Sequence, residues 1–170
     1  MEKIFSVYGP FDIPVTKENS ARCIRTNNIK QFWDAVDQAE DNLGNSYGCY
    51  VFMQNSGRKS MPWYVGKTTN SFKKEAFTDN KRNKYHDALA RTQKSKPQMF
   101  FIVQEYGYKS DKNAIDELET YLIRAAYKVN NSLINMRKTD YKWRIRGVMN
   151  CTRGEHCDAS AAFNAALKLE

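Results

Sequence analysis

The sequence predicts an α/β domain: a small three-stranded antiparallel sheet, with strands near residues 47–53, 61–66 and 98–106, flanked by helices and carrying N- and C-terminal extensions. Three observations lead there. A β-branched and aromatic run, Tyr47-Gly48-Cys49-Tyr50-Val51-Phe52-Met53, precedes the turn-rich Asn55-Ser56-Gly57-Arg58-Lys59-Ser60 and a second run, Trp63-Tyr64-Val65-Gly66-Lys67. That order is the pattern of a hairpin. Gln98 to Tyr106, QMFFIVQEY, opens after Pro97 and reads as the third strand. From Ser110 to Lys128, finally, Ile115, Leu118, Leu122, Ile123 and Ala126 fall at helical spacing behind Ser110 or Asp111 as N-cap.

Taken in order, residues 1–46 form an accessory segment on the core, 47–135 the core itself, and 136–170 a basic strand and helix completing the same domain. In the first part Ile4-Phe5-Ser6-Val7-Tyr8 is a candidate strand stopped by Gly9-Pro10. Ile29, Phe32, Trp33 and Val36 give a helix behind Asn27 or Asn28. In the last part Tyr141 to Arg146 alternates as a strand, with Trp143 and Ile145 inward and Lys142, Arg144 and Arg146 in an outward row. Phe163, Ala166 and Leu167 belong to a final helix over 160–169.

Within the long helical stripe Glu119 is out of place. It lies four residues after Ile115 and four before Ile123, so its carboxylate turns toward the buried side. A carboxylate there requires a partner, a hydrogen bond or a metal, or else a rim position beside a nearby lysine. Asp116 and Glu117 read as solvated charges. Tyr50 and Tyr64 each stand near a glycine in their strands, and glycine in a strand marks close approach by a ligand or another backbone.

The order Gly48-Cys49-Tyr50, Tyr64-Val65-Gly66-Lys67, Glu119-x-x-Leu122-Ile123 and Asn131 resembles the GIY-YIG nuclease domain, over roughly Tyr47 to Asn135. Cys49 stands where that pattern has Ile and keeps a small buried side chain. The resemblance implies a Mg²⁺-dependent endonuclease hydrolysing DNA phosphodiesters, with Mn²⁺ as the substitute ion and duplex DNA as the partner. Glu119 would be the metal ligand. Tyr50 would activate or position the attacking water, with Lys67 favouring its phenolate. Tyr64 would hold phosphate oxygens, and Asn131 would orient the site through its amide. The family's helical Arg has no direct counterpart, since Phe72-Lys73-Lys74-Glu75 offers lysines. Farther on, Asn80 to His86 presents Arg82 with His86, and Lys81 with Tyr85, each pair at i,i+4. Arg82 with His86 is the expected clamp on the phosphate, and Tyr85 is the substitute if the register differs by one.

Charge agrees with a polyanionic partner. The net charge is +8, and between Arg58 and Lys96 eleven Lys or Arg face three acids. Lys73, Lys74, Lys81 and Lys84 are the expected DNA contacts there, joined by Lys142, Arg144 and Arg146. A nuclease scaffold with a silent site, binding nucleic acid only, is the alternative. The sequence has no run of 18 apolar residues and no charged-then-apolar start, so a membrane partner and a secretory signal are not expected, and the setting is cytoplasmic. Cys23, Cys49, Cys151 and Cys157 are scattered, and Cys151, His156 and Cys157 lack a fourth zinc ligand. Gly66-Lys67-Thr68 is no P-loop, because Met61 stands where the first glycine belongs. Oligomeric state stays open, a homodimer included.

Overall fold

The computed structural model describes residues 4–105 and 110–135, together with Ala162 and Ala166 in helical conformation. The chain divides into two compact units, Met1–Met136 and Arg137–Glu170. The expected strand at 141–146 and nearly all of the expected final helix lie outside the described residues, as do Lys142, Arg144 and Arg146.

In the first unit the described elements are β1 (Phe5–Asp12), β2 (Thr16–Glu18), β3 (Ala21–Cys23), α1 (Thr26–Ala39), β4 (Gly48–Asn55), β5 (Ser60–Thr68), α2 (Phe72–Glu75), α3 (Asp79–Arg91), β6 (Lys96–Gln104) and α4 (Lys112–Val129). The main sheet is four-stranded and antiparallel, in the order β1-β6-β4-β5, and β2 and β3 form a separate hairpin. The three expected strands are present as β4, β5 and β6. The expectation of a three-stranded sheet is corrected by β1, which pairs along β6 from Phe5 opposite Gln104 to Asp12 opposite Gln98. Gly9-Pro10 does not stop that strand. The register shifts between Tyr8 and Phe11, so the pair is absorbed as an irregularity at the sheet edge, where a missing N–H is tolerated.

Helices cover both faces of the sheet. On one side Phe32, Trp33 and Val36 of α1, Phe72 of α2, and Tyr85 and Leu89 of α3 pack with Tyr50, Phe52, Tyr64 and Phe101. On the other, Ile115, Ile123 and Ala126 of α4 pack with Cys49, Val51, Val65 and Ile102. Strand alternation produces this division: Cys49 and Val51 face α4, Tyr50 and Phe52 the opposite helices. Burying each such side chain contributes roughly 1.5–3 kcal/mol. Cys49 is small enough for α4 to approach, its Sγ lying 3.6 Å from the Ile115 carbonyl oxygen.

Helix α4 begins as expected at Asp111, whose Oδ1 accepts from the Ala114 N–H at 3.1 Å. At its far end the chain turns back along the free edge of β5. Asn130 Nδ2 donates to the Pro62 carbonyl at 2.7 Å and the Ile134 N–H to that of Trp63 at 2.9 Å. Asn135 brackets Val65, accepting from its N–H at 3.1 Å and donating to its carbonyl. An otherwise unpaired strand edge is thereby satisfied.

Gly48 opens β4 at φ +144°, and a Cβ there would fall far inside contact distance of the Ile102 carbonyl oxygen. Gly48→Ala is therefore expected to destabilise the domain by at least about 2 kcal/mol, read as a lower denaturant midpoint at unchanged m-value.

Candidate active site

Tyr50 lies opposite Gly66, and Phe52 opposite Tyr64, across the β4–β5 hairpin. Both tyrosines therefore rise from the same face, with ring centroids 6.3 Å apart. The Tyr50 ring covers Gly66 so closely that a Cβ there would collide with its Cζ and hydroxyl oxygen. This contact is the physical reason for glycine at that strand position. From α3, Tyr85 stacks on Phe52 at 4.3 Å and meets Tyr64 edge-on at 5.8 Å. Lys84 Nζ sits 5.0 Å from the Tyr64 ring centroid, a cation–π contact.

The three phenols differ in their bonding. Tyr85 donates to the Ala76 carbonyl at 2.7 Å. Tyr64 and Tyr85 both lie close to the Tyr50 hydroxyl, yet that hydroxyl is buried without a partner in hydrogen-bonding geometry. Burial first, then the neighbouring phenols and the charges of Glu75 and Glu119, push the Tyr50 pKa far above its ordinary value. Burial and the same two carboxylates push Tyr64 up as well. All three tyrosines are held protonated, so Tyr50 is fitted to donate or to position rather than to act as a base.

Two carboxylates are thus within electrostatic reach of the phenols. Glu75, at the end of α2, is held by Lys81 Nζ at 2.5 Å, with the Lys81 side chain only 16% exposed. Glu119 comes from α4, its side chain 14% exposed and 3.0 Å from Lys67 Nζ. Lys67 also pairs with Asp116, one helical turn before Glu119. Burial pulls the Lys67 ammonium down, but Asp116 and Glu119 outweigh it and leave its pKa above the ordinary value. The glutamate on the apolar stripe is therefore a half-buried carboxylate beside a lysine, and Asp116 shares that lysine.

Several expected site residues lie elsewhere. Lys67 stands opposite Cys49, on the α4 face, so it does not face Tyr50 to favour a phenolate. Arg82 pairs with Asp79 on its own helix, and its Nε is buried without a partner. His86 turns toward the N-terminal hairpin, where its Nε2 accepts the Ile24 N–H at 3.0 Å. The α3 face that meets the tyrosines carries Lys81, Lys84 and Tyr85, one residue out of register from Arg82 and His86. Asn131 lies on the exposed turn after α4, and Asn130 and Asn135 reach the hairpin instead. Lys73 is engaged by Asp37 at 2.7 Å, and Lys74 is exposed.

No family model, curated protein or solved structure matches this chain.

The chemistry therefore rests on the site's own geometry. Among the described residues there is no group of three or more His, Cys, Asp and Glu placed to hold a metal. A hydrated Mg²⁺ needs only one or two carboxylates, and Glu119 with Asp116 offers two, one turn apart, around the position the Lys67 ammonium takes. Among the described residues no helix is long and apolar enough to cross a membrane. Glu75, Tyr85 and Asn135 were the residues sequence reading undervalued. Only the i,i+4 spacing of Lys81 and Tyr85 signalled any of them.

Because its hydroxyl has no partner, Tyr50→Phe is expected to be neutral or slightly stabilising, within about 1 kcal/mol, whereas Tyr85→Phe strands the Ala76 carbonyl and costs about 1–3 kcal/mol. Equilibrium urea unfolding separates the two.

His86 supplies a pH test. Burial first, then Arg82 and Arg25, lower its pKa below the ordinary 6.5, against the opposing Asp87 charge. The unfolded chain binds the proton more readily, so the contribution is present above about 6.5 and is lost as pH falls through the folded pKa. His86→Gln is expected to flatten the loss of stability between neutral pH and pH ~5. An unchanged pH slope would show that the imidazole is not the titrating group.

Proposed function

We propose that the protein is a divalent-metal-dependent endonuclease that hydrolyses DNA phosphodiesters, a GIY-YIG-type nuclease. One observation carries the reading. The two tyrosine–glycine tripeptides pair across one hairpin so that Tyr50 lies over Gly66 beside Tyr64, and the Glu119 carboxylate of α4 pairs with Lys67 of the same hairpin. Eleven cations between Arg58 and Lys96 supply the attraction for a phosphate backbone.

The roles follow from what each group can do. Glu119, with Asp116 beside it, would hold Mg²⁺ or its substitute Mn²⁺. Such an ion supplies charge for the oxyanion developing at phosphorus and for the leaving oxygen. Tyr50, kept protonated, donates its hydrogen bond to the attacking water or to a phosphate oxygen, which resolves its unpartnered hydroxyl. Tyr64 and Lys84 together present a hydroxyl and a cation to the phosphate. Lys81 takes the clamping role expected of Arg82, because it lies on the Tyr85 face and Glu75 fixes its ammonium. Lysine does so as a point charge rather than as a bidentate fork.

A second reading is favoured by one observation: Tyr50 is wholly buried, and Lys67 already neutralises the Glu119 carboxylate. In that reading the protein binds nucleic acid without cutting it.

Incubation with supercoiled plasmid, with and without Mg²⁺, separates them. Metal-dependent nicking is expected, with Tyr50→Phe and Glu119→Gln each slowing it by roughly 10²-fold or more while DNA binding persists. At saturating DNA, Lys81→Ala loses turnover and Arg82→Ala does not. Retained DNA binding with no nicking under any divalent ion would favour the silent module.

A further inference from the structure

The fold sorts the eleven Lys and Arg between Arg58 and Lys96 into two kinds. Lys67, Lys73, Lys81 and Arg82 are each ion-paired with an acid. Arg58, Lys59, Arg91, Lys94 and Lys96 are exposed and have no acid partner among the described residues.

Three segments bring these five to one end of the sheet. Arg58 and Lys59 belong to the β4–β5 turn. That turn is fixed by the Gly57 N–H on Asn55 Oδ1 at 2.7 Å and the Ser56 N–H on the Lys59 carbonyl at 3.0 Å. Lys96 opens β6 opposite Asn55, the last residue of β4. Lys94, on the loop between α3 and β6, lines a cavity of about 430 Å³ together with Lys59 and Trp63. Arg91 ends α3 with its guanidinium 5.9 Å from the Trp63 ring centroid.

Two ordinary roles for these cations are already filled or unmet. Cations are favoured at the C-terminus of a helix by its dipole. At α3, however, Arg22 of β3 occupies that end, donating to the carbonyls of Leu89, Thr92 and Ser95. A plain solvated surface mixes charges of both signs. Here Asp87, the one acid in the last two turns of α3, lines a separate cavity against β2 and β3, and no acid lines the cavity between Lys59 and Lys94. The five cations therefore set up an uncompensated positive field.

We propose that this end of the sheet is a docking surface for the phosphate backbone of duplex DNA. The inference rests on the nucleic-acid reading of the protein, though not on cleavage. Lys84, over the Tyr64 ring, and Arg91, over Trp63, are seven residues apart on α3, so they share a face about 10 Å apart along its axis. The row of cations thus runs from Tyr64 toward the hairpin turn. An anionic membrane would meet the same charges, but interfacial binding also buries apolar side chains. The exposed large hydrophobics among the described residues are Ile4 and Val7, at β1, and Tyr121 and Val129, on α4, and none lies on this surface. A phosphate backbone needs only the charge.

The test is fluorescence anisotropy of a labelled DNA duplex, titrated at several salt concentrations. Two double variants, Arg58→Ala with Lys59→Ala and Arg91→Ala with Lys94→Ala, are each expected to weaken binding roughly tenfold and to make the log–log salt slope shallower by about two. Arg91→Lys with Lys94→Arg keeps the charge and is expected to keep the slope; a loss there would assign the effect to packing on Trp63 and overturn the proposal. Lys128→Ala removes an exposed cation from α4, across the sheet from α3, and is expected to leave the slope unchanged. An unchanged slope in both double variants, or an equal loss in Lys128→Ala, overturns the surface assignment and leaves the nuclease reading standing. Binding to phosphatidylserine vesicles that both double variants abolish, with DNA affinity untouched, would make this a membrane surface and overturn it as well. Absence of DNA binding by the unaltered protein would remove the nucleic-acid reading together with this one.

Discussion

The contact between the Tyr50 ring and Gly66 sets the arrangement of everything around it. Only a residue without Cβ lets the phenol lie down across the neighbouring strand. With that side chain flat, Tyr64 can stand beside it and Tyr85 can close over both from α3. The hairpin register cannot slip by one residue, because that move would send Tyr50 to the α4 face and put the bulk of Cys49 or Val51 under α3. The cluster, the two core layers and the helix contacts on both sides therefore depend on one cross-strand pair.

The parts of the fold legible in the sequence were those whose signal is local. β4 and β5 announce themselves by composition and an intervening turn, and α4 by its apolar spacing and the Asp111 cap. β1 was only half legible, because its partner β6 lies some ninety residues away and no local pattern records that pairing. Gly9-Pro10 read as a terminator because its meaning depends on lying at an edge, which the sequence does not show. The register shift that puts the consecutive Trp63 and Tyr64 into the same core layer was invisible for a related reason: alternation alone assigns consecutive residues to opposite faces.

The face of α3 that meets the tyrosines was legible to within one residue. On a helix one position is a rotation of about 100°. That rotation separates Arg82 and His86 from Lys81 and Tyr85, and both pairs satisfy the same i,i+4 rule. The surroundings break the tie. His86 supplies an acceptor to a backbone N–H of the segment entering α1, and Tyr85 is a large aromatic that fits on Phe52. Asn135 was missed because a side chain pairing sideways with a strand edge leaves no periodicity at all.

Electrostatics bears on the proposed function. Burial alone would keep the three phenols neutral, and the Glu75 and Glu119 charges reinforce it, so nothing in the cluster generates a phenolate. Positive charge also collects at the rim of the phenols, where Lys81 and Lys84 are held by Glu75 and by the Tyr64 ring. Neutral donors inside and cations at the edge suit a ligand that brings its own negative charge and presents oxygens inward. On the proposed reading a phosphate meets that description, with Glu75 and Glu119 already paired to Lys81 and Lys67. The Tyr50 hydroxyl, buried without a partner, is unfavourable in isolation, and on the proposed reading a bound phosphate would give it an acceptor.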